Sequence, residues 1–260
     1  MIKQFFEQAW LYYKGQNAGF RMEEFILMKI SLPILSLIMY CIMAAYGFRT
    51  NSLAYWVIGN SFLLCTSTCV FSLGTSFTGE RYYGRLRSII VAPRSKFLLV
   101  LEKGFFPMLE ALVSVSVGLC VGSLLFKVDF SNVHLGMYFV IIVAAMFCAS
   151  GFGMILGIFG MLTSEIHLFL NSTSLLLIIF TGANFPITML PPAVRWISNC
   201  IPLTRSMQAG NMLLEGERYE PILKLIFSEL LLGIFYFVLS GIILKVVEKI
   251  AIREASFDVF

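Results

Sequence analysis

Charge is what this sequence has least of. Of its 260 residues, 19 are Lys or Arg and 15 are Asp or Glu, 13% together, where a soluble domain carries roughly 25%. With 58% hydrophobic residues beside so few charges, the composition excludes an ordinary water-soluble fold and fits a protein built into a bilayer. Histidine is nearly missing too. His134 and His167 stand far apart, and the stretch SEIH around Glu165 lacks the second His of a zinc-binding helix. The dipeptide Gly-Lys occurs nowhere, so no phosphate-binding loop of the Walker A type is present. These absences predict a chain that does no bond chemistry and holds no metal or cofactor of its own.

Six cysteines are present, at positions 41, 65, 69, 120, 148 and 200. Five fall inside apolar runs, so no disulfide framework is implied. Cys65 and Cys69 share a helix face at i, i+4 but have no His or carboxylate nearby, and they read as small packing residues. The net charge of +4 comes from basic residues in short segments that flank apolar runs. Anionic lipid and membrane orientation account for that placement better than nucleic acid does.

Six windows meet the length needed to span a hydrocarbon core, about 20 apolar residues at ~1.5 Å each: residues 30–48, 56–77, 105–126, 137–161, 168–185 and 222–247. The spacing predicts an all-α membrane protein, a single transmembrane domain over 1–260. Residues 1–28 are expected to hold an amphipathic helix on the membrane surface, because Ile2, Phe5, Phe6, Ala9, Trp10 and Tyr13 recur at helical spacing on one face. The first apolar run, preceded by a polar and aromatic segment, is expected to remain as a span. Placing the N-terminus inside leaves 13 Lys and Arg on inner segments and six on outer ones. Both termini are therefore predicted cytoplasmic.

Two connecting segments carry more information than the rest. Residues 79–96, GERYYGRLRSIIVAPRSK, combine basic Arg81, Arg85 and Arg87 with apolar Leu86, Ile89 and Ile90, a pattern for a short amphipathic helix closed by Pro93. A plain positive-inside anchor is the simpler alternative. Residues 186–216 contain four prolines and cannot be a straight span. Pro191 or Pro192 is placed to open one short helix that Pro202 stops, and Thr204 to cap a second that ends at Gly216. These would be outer-face or re-entrant helices; a surface loop with turns is the alternative.

Glu80, Arg81, Gly84, Leu86 and Pro93 in ERYYGRLRSIIVAP resemble the motif after the second span in permease subunits of ATP-binding-cassette (ABC) exporters of the type-2 family. Residues 180–216, with a small-Gly-x-x-x-Pro turn, paired prolines and a Pro-Leu-Thr, are similar to that family's end of the fifth span. The resemblance implies that Glu80 to Pro93, including Arg85, Arg87 and Ile89, form a coupling helix docked on a cytoplasmic ATPase. Tyr82 and Arg85 depart from the family's usual acid and small hydroxyl residue. The resemblance further implies partner ABC ATPase subunits that bind ATP and Mg²⁺, a second identical or similar permease chain, a place in the plasma membrane, and export of an amphipathic or hydrophobic compound.

Polar positions inside the windows complete the reading. Asn60, Ser67 and Phe71 share a face of the second window, and Asn171, Ser174, Ile178 and Thr181 share one of the fifth. They are candidates for a substrate pathway, though such side chains also serve as helix-packing contacts. Glu110 and Glu229 lie well inside windows and need partners. Lys103 is the candidate for Glu110, and Lys224 or Arg205 for Glu229, in structural ion pairs. Two rival functions are an ion exporter or channel using these two carboxylates, and a membrane enzyme using Glu165 with His167.

Overall fold

The computed structural model describes residues 2–19, 21–48, 53–82, 84, 95–128, 133–163, 165–216 and 218–254. Among them every regular element is helical and there is no strand. Within hydrocarbon a helix is the way for an open segment to satisfy its own backbone. The chain begins with α1 (Ile2–Asn17) and α2 (Met22–Ile26), followed by a π-helical turn at Leu27–Ser31 and α3 (Leu32–Phe48). Next come α4 (Ala54–Leu63), a π-helical segment at Thr66–Ser72, and α5 (Ser76–Tyr82). The remainder is α6 (Lys96–Phe126), α7 (Leu135–Phe159), α8 (Ile166–Phe180), a 3₁₀ turn at Ile187–Met189, α9 (Pro192–Cys200), α10 (Thr204–Leu214) and α11 (Tyr219–Glu254).

Among the described residues, five helical stretches are long and apolar enough to cross a membrane: Glu23–Gly47, Ala54–Glu80, Phe97–Phe126, Leu135–Phe159 and Tyr219–Val247. The remaining window, 168–185, yields α8, of 15 residues. At ~1.5 Å per residue it is about 22 Å long, short of a core of about 30 Å. Its end is set by Gly182, whose φ of 80° lies in the left-handed region. Helix α6 starts well before its apolar window and runs through Pro107, because Glu102 and Lys103 in its extra turns are buried against other elements rather than exposed to lipid.

Two of these stretches leave α geometry for identifiable reasons. In the first span Pro33 has no N–H to give the carbonyl of Lys29. The N–H of Leu32 bonds five residues back to Leu27. In the second span three successive hydroxyls compete with the backbone: Thr66 donates to the Leu63 carbonyl at 2.8 Å, Ser67 to Leu64 at 3.0 Å and Thr68 to Cys65 at 3.1 Å.

The centre of the bundle is shared by the second span and α7, 78% and 72% buried over their apolar windows, whereas the first span is 17% buried and lies at the periphery. Along α7, Ala145, Ala149, Ser150, Gly153 and Gly157 form a small-residue surface that the second span approaches closely. A Cβ on Gly153 would collide with the Cys69 carbonyl, and one on Gly157 would meet the Leu73 carbonyl at 2.5 Å. The opposite side of α7 packs along α11.

The apolar face of α1 packs on α6. Phe5 and Phe6 meet Phe105 at ring distances of 5.7 and 5.2 Å, and Trp10 and Tyr13 meet Phe106 at 5.3 and 5.7 Å. Ala9 is buried between them, while Phe6 and Trp10 stay about half exposed. Part of the face expected to lie on the membrane is thus used within the chain.

Replacing Gly153 by Ala should destabilise the protein by about 1–3 kcal/mol, since the obstacle is backbone and cannot rotate away. Gly79→Ala, with open space around it, should change little. Thermal unfolding in one detergent compares the two, and equal melting temperatures would contradict the packing described.

Candidate functional site

Helix α5 delivers Glu80 to the end of the second span. There its Oε1 lies 3.2 Å from the Nζ of Lys103, with side-chain exposures of 14% and 4%. The Lys103 ammonium also sits over the rings of Tyr12, at 5.1 Å, and Phe77, at 4.5 Å. One cation thereby joins α1, the second span and the third. This carboxylate is paired within the chain, at the start of the segment expected to dock on an ATPase. Gly84 is exposed with φ of 67°, so a turn conformation requires glycine there independently of any docking partner. The backbone of Arg81 belongs to α5. Arg85, Leu86, Arg87, Ile89 and Pro93 lie outside the described residues.

Five of the seven pathway candidates come together. Asn60, Ser67, Phe71, Ser174 and Ile178 line one cleft of about 360 Å³, whose other wall is the first span with Ser36 and Tyr40. Asn60 is nearly fully buried. Its Nδ2 donates to the Trp56 carbonyl at 2.9 Å and to Asn184 Oδ1 at 3.1 Å, tying the second span to the turn after α8. Thr181 is wholly buried and its hydroxyl donates to the Leu177 carbonyl. Asn171 lies on the exposed face of α8, outside the cleft.

One family model, described as ABC-2 type transporter, matches residues 7–213. The chain belongs to that family. The matched region runs from α1 through α10, and no curated protein matches the chain. Membership makes this a multi-pass membrane transport protein, a permease subunit rather than a catalytic one, of a family that works with ABC ATPases.

Glu110 has a partner other than the one expected, whereas Glu229 has one of its two expected partners, Arg205. Glu110 pairs with Lys29 of the first span at 2.8 Å, not with Lys103. Sequence proximity pointed along α6, whereas packing brings in a residue 81 positions earlier. Lys29 also donates to Ser72 Oγ at 2.9 Å, so the π-helical segments of the first two spans meet at this cation. Tyr13 faces Glu110, and its own burial, followed by that carboxylate, pushes its phenol well above the ordinary value. The hydroxyl therefore stays a donor.

Glu229 is fully buried in α11. Its Oε1 accepts the N–H of Leu203 at 2.7 Å, and Arg205 interacts with it electrostatically, whereas Lys224 pairs with Glu220 at 2.8 Å. Leu203, with φ of 74°, stands at the N-cap of α10, so Thr204 is the first helical residue and not the cap expected. An apolar side chain in the left-handed region is strained, and the carboxylate helps to hold it there. Tyr236 donates to the Cys200 carbonyl. The α9–α10 hairpin therefore descends beside α11 to positions 11 to 18 of that helix. Pro192 opens α9, and Gly216, with φ of 76°, follows α10.

His167 lines a pocket of about 720 Å³ with Tyr12, Thr78, Glu80 and Lys103. Glu165 is exposed and is not among the residues lining it, so the pair needed for the enzyme reading is not brought together there.

Two outcomes follow for stability. Glu229→Leu leaves the buried Leu203 amide without its acceptor and should cost about 1–3 kcal/mol. Glu229→Gln keeps an acceptor and should cost clearly less, as thermal unfolding would record. In a double-mutant cycle Lys103→Met and Glu80→Gln should be non-additive by about 0.5–3 kcal/mol. Additive losses would mean that the two side chains are not coupled.

Proposed function

We propose that the chain is the permease half of an ABC exporter that moves an amphipathic or hydrophobic compound across the plasma membrane, driven by ATP hydrolysis in a partner subunit that binds ATP and Mg²⁺. The observation that carries this reading is the family match over residues 7–213, whose members work with such ATPases. Support comes from the cleft of Asn60, Ser67, Phe71, Ser174 and Ile178, which has mostly apolar walls with a few hydroxyls and one amide. That chemistry suits an amphipathic cargo better than an ion. Glu110 and Glu229 are each bound to groups of the chain itself, which favours structural roles over an ion path.

In this reading α8 and the turn to Pro186 complete a sixth span, α1 rests on the inner membrane surface with Phe6 and Trp10 toward lipid, and both termini are cytoplasmic. The cleft lies at the contact with a second permease chain. Residues 79–96 form the coupling helix, with Leu86 and Ile89 supplying apolar contact to the ATPase and Arg81, Arg85 and Arg87 meeting acidic residues or lipid phosphates. ATP binding closes the ATPase pair, displaces the coupling helices and opens the cleft outward.

The test uses Leu86→Asp with Ile89→Asp in the permease co-expressed with its ATPase. The double variant should insert normally and bind cargo, yet lose cargo-stimulated ATP hydrolysis and export. Normal stimulated turnover would rule out the coupling role, and failure of the chain to co-purify with any ATP-binding subunit would overturn the exporter reading.

A further inference from the structure

Next to the pathway cleft along the first span lies a second cavity, of about 420 Å³, bounded by α1, the first span and α6. The two cavities share only Pro33 and Leu64. Charged side chains are rare within spans, yet this cavity is lined by two, Lys29 and Glu110, whose side chains are 9% and 12% exposed. Their hydrogen-bonding capacities are used unequally. The Lys29 ammonium has Ser72 Oγ at 2.9 Å, Glu110 at 2.8 Å and the Phe25 ring at 5.6 Å. Glu110 has the Lys29 charge at 2.8 Å and the Tyr13 hydroxyl facing it, yet both of its carboxylate oxygens are buried and neither accepts a hydrogen bond of normal geometry. A carboxylate offers about four acceptor positions, more than Lys29 and Tyr13 together use, so Glu110 has the capacity to accept from a further donor.

The walls choose which donor. Trp10, Tyr13 and Phe106 stand mutually in contact, with ring centroids 5.3 to 5.9 Å apart, and all three line the cavity. Aromatic faces attract cations, most strongly where water is excluded. Beyond Glu110 the lining turns apolar with Val113 and Val117 of α6 and Ile34 of the first span, and Val113 is exposed at the surface. A polar end at Glu110 and an apolar track leading away from it match a molecule with one charged head and one tail. The volume is that of a pocket for a single drug-sized ligand, ~300–1,000 Å³, and it is too small for both chains of a phospholipid.

We propose that this cavity binds a single-chain amphipathic amine, with its protonated nitrogen on Glu110 and against Trp10, Tyr13 and Phe106, and its tail along Val113 and Val117. The site is separate from the pathway cleft. Binding is read without an ATPase, so its failure and that of the exporter reading are distinguishable.

The experiment uses the full chain in an uncharged maltoside detergent and a dodecylamine carrying a diazirine in its tail. Photolabelling should mark peptides that contain Val113, Val117 or Ile34. Free dodecylamine should compete at a concentration about tenfold or more below that needed for dodecanol or dodecanoate, the selectivity expected of a charge-assisted contact. Glu110→Gln should abolish this preference, and Phe106→Leu, which leaves both charges in place, should narrow it. Equal competition by the three compounds would reduce the cavity to a non-selective apolar hole. Strongest competition by dodecanoate would make Lys29 the anchor and overturn the assignment, as would labelling confined to other helices. Competition by phosphatidylethanolamine equal to that of dodecylamine would overturn the single-chain occupant. Should Glu110→Gln fail to fold, undiminished amine preference in Phe106→Leu would by itself refute the aromatic head site.

Discussion

Hydrocarbon supplies no water to a backbone group that leaves a regular helix, nor to a charge carried into a span, so each must find its partner inside the chain. The irregular parts of this permease are arranged around that requirement. Where Pro33 withholds an N–H, the first span widens by a residue per turn, and the widened turn carries Lys29. In the second span three hydroxyls bond to carbonyls within the segment itself. At Leu203 a strained turn is held by a carboxylate from another helix. Irregularity and intramembrane charge occur together, each making the other tolerable.

The same partners define the tertiary structure. Lys29 joins the first span to the second and third, Lys103 joins α1 to the second and third, and Glu229 joins the hairpin to α11. Elsewhere the helices meet through apolar and small side chains, most tightly where Gly153 and Gly157 admit the backbone of the second span. Apolar contact in lipid is weakly directional, whereas a buried ion pair with one partner displaced is strongly penalised. The polar contacts therefore select a single arrangement among several that would pack similarly well.

This division explains how far the sequence could be read. The long helices were legible because an apolar run of span length has few alternatives. Helix α6 was cut short in that reading, since Lys96, Glu102, Lys103 and Pro107 lower hydropathy and suggest a break; burial against α1 and α5 is invisible along the chain. Punctuation by Pro192 and Gly216 is local chemistry and could be recognised. The cap at Leu203 could not, because the usual rule favours Thr204 and the acceptor is 26 residues away. The partner of Glu110 was sought among helical neighbours, yet nothing in one dimension links position 110 to position 29. The cleft residues of the second and fifth helices were accessible through face periodicity, except Asn171, whose face turns outward, and Thr181, which the turn at Gly182 carries inside.

The Lys103–Glu80 contact has a mechanical consequence. It pins the end of α5 to the first turns of α6, and the Lys103 ammonium over Tyr12 brings α1 into the same joint. A load on any one of these three helix ends is shared by the other two. With the ion pair removed, each end would yield on its own.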